Sequence, residues 1–309
     1  MSRRDALVLG LAGALLAAGC GPGSSDSDDS RTDVVASFYP LAFLAERVGG
    51  AAADVANLTA PGVEAHDLEL TPRQVGDLVE SDLVLYEKGL QPAVDDAVGQ
   101  ADPSGRLDAT EIVPLRETHG TDEGHGSGDD PHEAELGAVD PHVWLDPTLM
   151  ARLATAVGQE LARVDPAHAD GYRTRARQLV HDLKTLDRQF ETGLDDCQRH
   201  LLVTSHASFG YLAERYGLEQ LSVSGLTPDA DPTPGRLAEV QRVVEQGDVT
   251  TIFVERLVSP RVVESLASDT GLDTAVLDPL EGVAHPGRDD YLSVMRDNLG
   301  ALRHALGCR

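Results

Sequence analysis

Of the eleven histidines in the chain, three lie where a predicted strand ends or a loop enters a helix, and open α/β sheets bind ligands outside the carboxyl ends of their strands. They are His66 in Pro61-Gly62-Val63-Glu64-Ala65-His66-Asp67, His142 in Asp140-Pro141-His142-Val143-Trp144-Leu145-Asp146-Pro147, and His206 in Val203-Thr204-Ser205-His206. Asp278 holds an equivalent place in Val276-Leu277-Asp278-Pro279. Three imidazoles and one carboxylate suit a borderline-soft dication in tetrahedral geometry, with Zn²⁺ its natural occupant. No short spacing links the four, so only folding could assemble them. His168, His181, His200 and His304 lie in helical or strand patterns with no suggestive neighbours and read as surface or structural residues.

The elements that must position these groups alternate between strand and helix. Strands are expected at Asp33–Ser37, Asp54–Leu58 and Asp82–Tyr86, with helices over Leu41–Val48, from Thr71-Pro72 and from about Gln91. A long helical stretch then runs over roughly Thr148–Arg163 and Pro166–Leu194. In it Leu179, Leu183, Leu186 and Phe190 recur at spacings of three and four. Alternation resumes with strands at Leu201–Thr204, Leu221–Val223, Thr251–Val254 and Thr274–Leu277, and a last helix spans Arg288–Leu306. Such alternation predicts parallel sheets, here in two α/β lobes joined by a long helix. The expected divisions are 33–146 for the N-terminal lobe, 147–194 for the linking helical segment and 195–309 for the C-terminal lobe. His66 and His142 would come from the first lobe, His206 and Asp278 from the second.

Charge narrows the field. The chain of 309 residues carries 25 Lys+Arg against 52 Asp+Glu, a formal net charge of −27. That field repels phosphate backbones and no basic stripe overrides it, which excludes a nucleic-acid binder.

The N-terminus reads as an export signal. Arg3 and Arg4 precede an apolar run, Ala6–Ala18, too short to span a bilayer, and Ala17-Ala18-Gly19 leads directly into Cys20. This resembles a lipoprotein cleavage box, with residues 1–19 removed and Cys20 lipidated; an ordinary secreted protein with an incidental cysteine is the alternative. Residues 20–32, rich in Gly, Ser and Asp, are expected to form a flexible tether. Cys197 and Cys308, an even pair in an exported chain, are expected to form a disulfide. The acidic stretch 117–135 carries His119, His125 and His132 without apolar periodicity. It reads as a disordered insertion able to capture metal weakly, or simply as a solvated charged loop.

A zinc hydrolase is the rival of a different class. It needs an open coordination position, a general base and a substrate pocket. The chain has no His-Glu-x-x-His helix, no glycine-rich phosphate loop and nothing like a nucleophile elbow around Ser205 or Ser208.

Six segments in order resemble the metal-binding solute-binding proteins of ABC importers, in the zinc and manganese cluster. They are Phe38-Tyr39-Pro40; Gly62 through His66-Asp67 with Leu70 and Pro72; Asp140-Pro141-His142 with Trp144, Asp146 and Pro147; Ser205-His206 with Phe209-Gly210-Tyr211-Leu212; Ile252-Phe253-Val254-Glu255; and Leu277-Asp278-Pro279-Leu280. The resemblance covers nearly the whole chain beyond Asp33. It implies two lobes, each with a four-stranded parallel sheet, joined by a rigid helix with the metal between them. By position it implies His66, His142, His206 and Asp278 as metal ligands. Manganese-type members commonly carry Glu where this chain has His206, so the third nitrogen favours Zn²⁺ over Mn²⁺.

Some zinc members place Glu directly before the first histidine, but here Ala65 stands there and Glu64 is one residue further away. That leaves the fourth position to Asp278 or water. Glu255 and Glu64 are candidates for orienting the ligands, with a solvated strand-end charge the alternative for Glu255. The resemblance further implies no catalysis and a membrane permease with its cytoplasmic ATPase as partner. With the Cys20 anchor it places a monomer on the outer face of the cell membrane. An additional adhesive role uses the same lobes.

Overall fold

The computed structural model describes residues 31–101, 103, 105–117, 139–228, 231–257, 259–283 and 288–309. The export signal, Cys20 and the histidines His119, His125 and His132 therefore lie outside the described residues. Residues Arg31–Arg309 make one compact unit.

Two four-stranded parallel sheets organise it. The first has the order β2-β1-β3-β4, from β1 (Thr32–Ala36), β2 (Ala53–Asn57), β3 (Leu83–Tyr86) and β4 (Arg106–Asp108). Helices α1 (Tyr39–Gly49), α2 (Pro72–Glu80) and α3 (Pro92–Ala101) connect them. Proline opens α1, α2 and α3, where a missing N–H costs nothing, and Thr71 closes a capping box with Gln74 at the head of α2. β1 begins at Thr32, within the expected tether, and Thr32 is buried and paired with Ala53. β4 was not expected. It is three residues long with only Leu107 apolar, too short to show a period, and Gly105 leads into it because any Cβ there would strike the Asp82 carbonyl at 2.2 Å.

The second sheet repeats the order as β10-β9-β7-β8, from β7 (Leu201–Thr204), β8 (Glu219–Ser222), β9 (Thr251–Val254) and β10 (Asp273–Val276). β5 (Arg116–Glu117) and β6 (Val139–Asp140), an antiparallel pair also absent from the sequence expectation, bracket the acidic stretch.

The expected linking segment, read as Thr148–Arg163 and Pro166–Leu194, is α4 (Pro147–Val164) and the long α5 (Ala169–Leu194). Between them Asp165 caps a 3-10 turn, accepting from the N–H groups of Ala167 and His168. At 26 residues α5 is about 39 Å long. Its buried stripe of Tyr172, Ala176, Leu179, Leu183, Leu186, Phe190 and Leu194 packs on α1, α4 and the last helix, α9 (Tyr291–Leu306). One continuous core joins Phe38, Phe43, Trp144 and Leu145 to Phe209, Phe253, Leu277 and Tyr291, so both halves share apolar packing. α6 (Gly210–Arg215), α7 (Pro234–Gln246) and α8 (Arg261–Thr270) complete the second half. Cys197, just after α5, and Cys308, just after α9, meet at bonding distance. Among the described residues no helix is long and apolar enough to cross a membrane.

Candidate metal centre

The three predicted histidines converge. Each follows the carboxyl end of a strand: His66 in the loop after β2, His142 two residues past β6, His206 two residues past β7. Their ring centroids are 5.3 to 6.3 Å apart. The fourth group is not Asp278 but Glu281. One donor atom from each of His66, His142, His206 and Glu281 lies within 4.8 Å of all the others. Glu281 Oε1 stands 3.1 Å from His206 Nε2, 3.3 Å from His142 Nε2 and 3.7 Å from His66 Nε2. A tetrahedral ion with bonds of about 2.0 Å has ligand–ligand edges of about 3.3 Å, a length that the three edges meeting at Glu281 approach. Nε2 of His66 and of His142 is buried without a hydrogen-bond partner, the state expected of a nitrogen whose partner is a cation.

Asp278 stands outside that cluster for a physical reason. Its Oδ1 accepts the Leu280 N–H at 2.9 Å and its Oδ2 meets Arg256 Nε at 3.3 Å, so both oxygens are committed away from the histidines. The turn it builds delivers Glu281 instead. Glu64 is not among the four donors either. Its Oε2 accepts the His66 backbone N–H at 2.9 Å, and burial together with the adjacent Glu281 pushes its carboxyl up to about 8.

Buried carboxylates orient two of the imidazoles. Asp140 Oδ1 takes the His142 Nδ1 proton at 2.8 Å and the His142 N–H at 3.0 Å. Its Oδ2 pairs with Arg116 Nη1 at 2.9 Å, and Arg116 Nε goes on to Glu214 at 2.6 Å. Glu255 Oε1 takes the His206 Nδ1 proton at 2.7 Å, the His206 N–H at 3.2 Å and the Ser205 hydroxyl. Because a carboxylate only accepts, Nδ1 carries a proton in both rings, which leaves Nε2 as the atom turned toward the other donors. Neither Asp140 nor Arg116 was singled out from sequence; Glu255, at the tip of β9, was. Gln91, also missed, is buried and donates to the carbonyl of Ala65 at 3.0 Å and to Thr59 Oγ1 at 3.0 Å, steadying the loop that ends in His66.

The protonation balance fits a dication. Burial alone would lower the His206 pKa, but Glu255 and Glu281 outweigh it and push it up to about 10; for His142, Asp140 and Glu281 likewise outweigh burial and raise it. Burial would raise Glu281, yet the three histidines hold it well below the usual carboxylate range. Metal binding at His142 and His206 must therefore displace protons that their carboxylate partners favour. Raised imidazole pKa values mean that protons compete harder as pH falls. Zinc affinity is expected to drop by about tenfold per pH unit for each proton displaced, and the drop begins below the His206 value of about 10 rather than only below about 6. A chelator competition titration between pH 8 and 5.5 reads the slope, and a flat profile would rule out this ligand set.

A buried site of three nitrogens and one oxygen, fed from the strand ends of two parallel sheets that a long helix spans, defines a metal-capturing solute receptor. Four donors are the number a closed tetrahedral zinc shell uses, whereas a hydrolytic zinc site uses three and keeps one position open. The chain belongs to the family described as zinc-uptake complex component A, periplasmic, which matches residues 34–305. This is a receptor family, not an enzyme family. The chain is 31% identical to the high-affinity zinc uptake system protein ZnuA of Bacillus subtilis over 303 residues, 94% of each chain. It is 31% identical to the zinc-binding lipoprotein AdcA of Streptococcus pneumoniae over 282 residues, 89% of this chain but 56% of AdcA. Among solved structures it resembles the laminin-binding protein Lmb of Streptococcus agalactiae, described as a bifunctional adhesin and metal transporter (TM-score 0.77, 30% identity, 89% of this chain and 99% of that one). It also resembles the Zn(II)-bound ZnuA-like domain of Streptococcus pneumoniae AdcA (TM-score 0.75, 29% identity, 90% and 99%).

Proposed function

We propose that the protein is an extracytoplasmic receptor that captures Zn²⁺ with His66, His142, His206 and Glu281 and delivers it to an ABC permease driven by a cytoplasmic ATPase. The observation that carries this reading is the convergence of three inward Nε2 atoms on Glu281 Oε1 at 3.1 to 3.7 Å. Zinc is favoured over manganese because three nitrogens outnumber the single hard oxygen. Stripped protein offered equimolar zinc and manganese is expected to retain zinc, near one per chain, by metal mass spectrometry. Preferential manganese retention would overturn the assignment.

The finer parts of the reading rest on sequence. Residues 1–19 serve as a lipoprotein signal and Cys20 as the lipid anchor on the outer face of the membrane, with a monomeric receptor tethered by the residues that follow. The division into lobes 33–146 and 195–309 around the segment 147–194 is supported by the two sheets. Cys197 and Cys308 form a disulfide in the oxidising compartment, fastening the C-terminus to the end of α5. His119, His125 and His132 act as a low-affinity zinc reservoir. Deleting residues 118–133 is expected to leave the tight site intact and abolish additional zinc bound under excess metal, read by equilibrium dialysis; unchanged stoichiometry would remove that role.

A further inference from the structure

The loop that carries Glu281 is held by side chains from two other segments, Asn298 and Trp144. Asn298, buried on α9, donates Nδ2 to the Asp278 carbonyl at 2.7 Å and accepts the Asp278 N–H at 2.9 Å through Oδ1. Asp278 Oδ1 in turn accepts from Leu280 N–H, and Trp144 Nε1 donates to the Pro279 carbonyl at 2.6 Å. Leu280, fully buried, has φ +61°, the left-handed region that a branched side chain occupies only when its surroundings impose it. Among the described residues it is the one non-glycine residue there, and it directly precedes Glu281.

The same helix reaches the other half of the site. Tyr291, two turns before Asn298 on α9, donates its hydroxyl to the Trp144 carbonyl at 2.6 Å, and Trp144 lies two residues after His142.

We propose that Asn298, Asp278 and Trp144 form a clamp that imposes the strained turn at Leu280 and so sets the reach of Glu281 toward the histidines. Asn298 and Asp278 are positioning residues and touch no metal. This deepens the zinc reading and rests on it. Without the clamp, Leu280 relaxes toward ordinary backbone, Glu281 swings out of reach, and the ion keeps three nitrogens and gains water.

The test compares wild type with Asn298→Ala, Asp278→Asn and Glu281→Gln, each stripped and titrated with zinc against a chelator, and with Co²⁺ as a spectroscopic probe. Asp278→Asn keeps an acceptor for the Leu280 N–H but turns its NH₂ toward Arg256 Nε, so it is expected to lose less affinity than Asn298→Ala and far less than Glu281→Gln, with the tetrahedral cobalt absorption kept. Asn298→Ala is expected to lose affinity about 10- to 100-fold, the scale of lost ligand support, with weakened cobalt bands while both imidazole pairs stay in place. Should Asn298→Ala fail to fold, Trp144→Phe removes the donor to Pro279, together with part of a buried ring whose centroid is 5.2 Å from that of His142, and carries the same expectation. Wild-type affinity and cobalt bands in Asn298→Ala or Trp144→Phe would overturn the clamp alone. A loss in Asp278→Asn as large as in Glu281→Gln would also overturn it, by making Asp278 a donor. A wild-type chain that takes up no zinc would overturn the zinc reading itself, and the clamp with it.

Discussion

Replacing His206 by Ala is expected to weaken zinc binding by about 100- to 1000-fold. A four-ligand zinc site is worth about 10–16 kcal/mol, so one ligand carries roughly 3–4 kcal/mol of it. The loss here belongs at the upper end because the removed ring leaves Glu255 buried with only Ser205 and a backbone N–H. It also leaves two nitrogens and one oxygen facing the ion, so the variant should lose its preference for zinc over manganese. Chelator competition with both metals measures the two effects together. Zinc bound by the variant as tightly as by wild type would remove His206 from the ligand set.

Glu255→Gln should cost about 10- to 100-fold without touching any proposed ligand. One oxygen of Glu255 accepts from Ser205, from the His206 backbone and from His206 Nδ1. Glutamine preserves the volume but not the charge, and its amide can present its NH₂ to Nδ1, which would place the ring proton on Nε2, facing the metal. The same change removes the charge that does most to hold the His206 pKa up at about 10. Affinity should therefore fall while its dependence on pH becomes shallower, a pairing that general loss of stability would not produce. Zinc titrations at pH 6 and pH 8 separate the two; an unchanged pH slope would contradict the role given to Glu255.

Much of this was legible in the sequence because strand-end placement is a short-range signal. His206 follows Leu201–Thr204 and Glu255 follows Thr251–Val254, while His66 and His142 stand in loops that lead toward the helices opened by Pro72 and Pro147. The exchange of Asp278 for Glu281 was not legible. Both carboxylates lie in one loop, and choosing between them depends on the left-handed turn at Leu280, for which sequence offers no cue; glycine would have announced it, leucine hides it. Arg116 and Asp140 were missed because β5 and β6 are two residues each, beside a charged stretch with no periodicity. The division of the long helical segment was half visible, since Asp165-Pro166 marks it, but only the cap geometry shows that the chain turns there.

The most direct test of the account is the zinc K-edge absorption fine structure of stripped protein reloaded with one equivalent of Zn²⁺, compared with Glu281→Gln. Three imidazole nitrogens and one carboxylate oxygen at about 2.0 Å, with the oxygen contribution altered in the variant, is the predicted result. A shell dominated by oxygen, or one identical in wild type and Glu281→Gln, would contradict it.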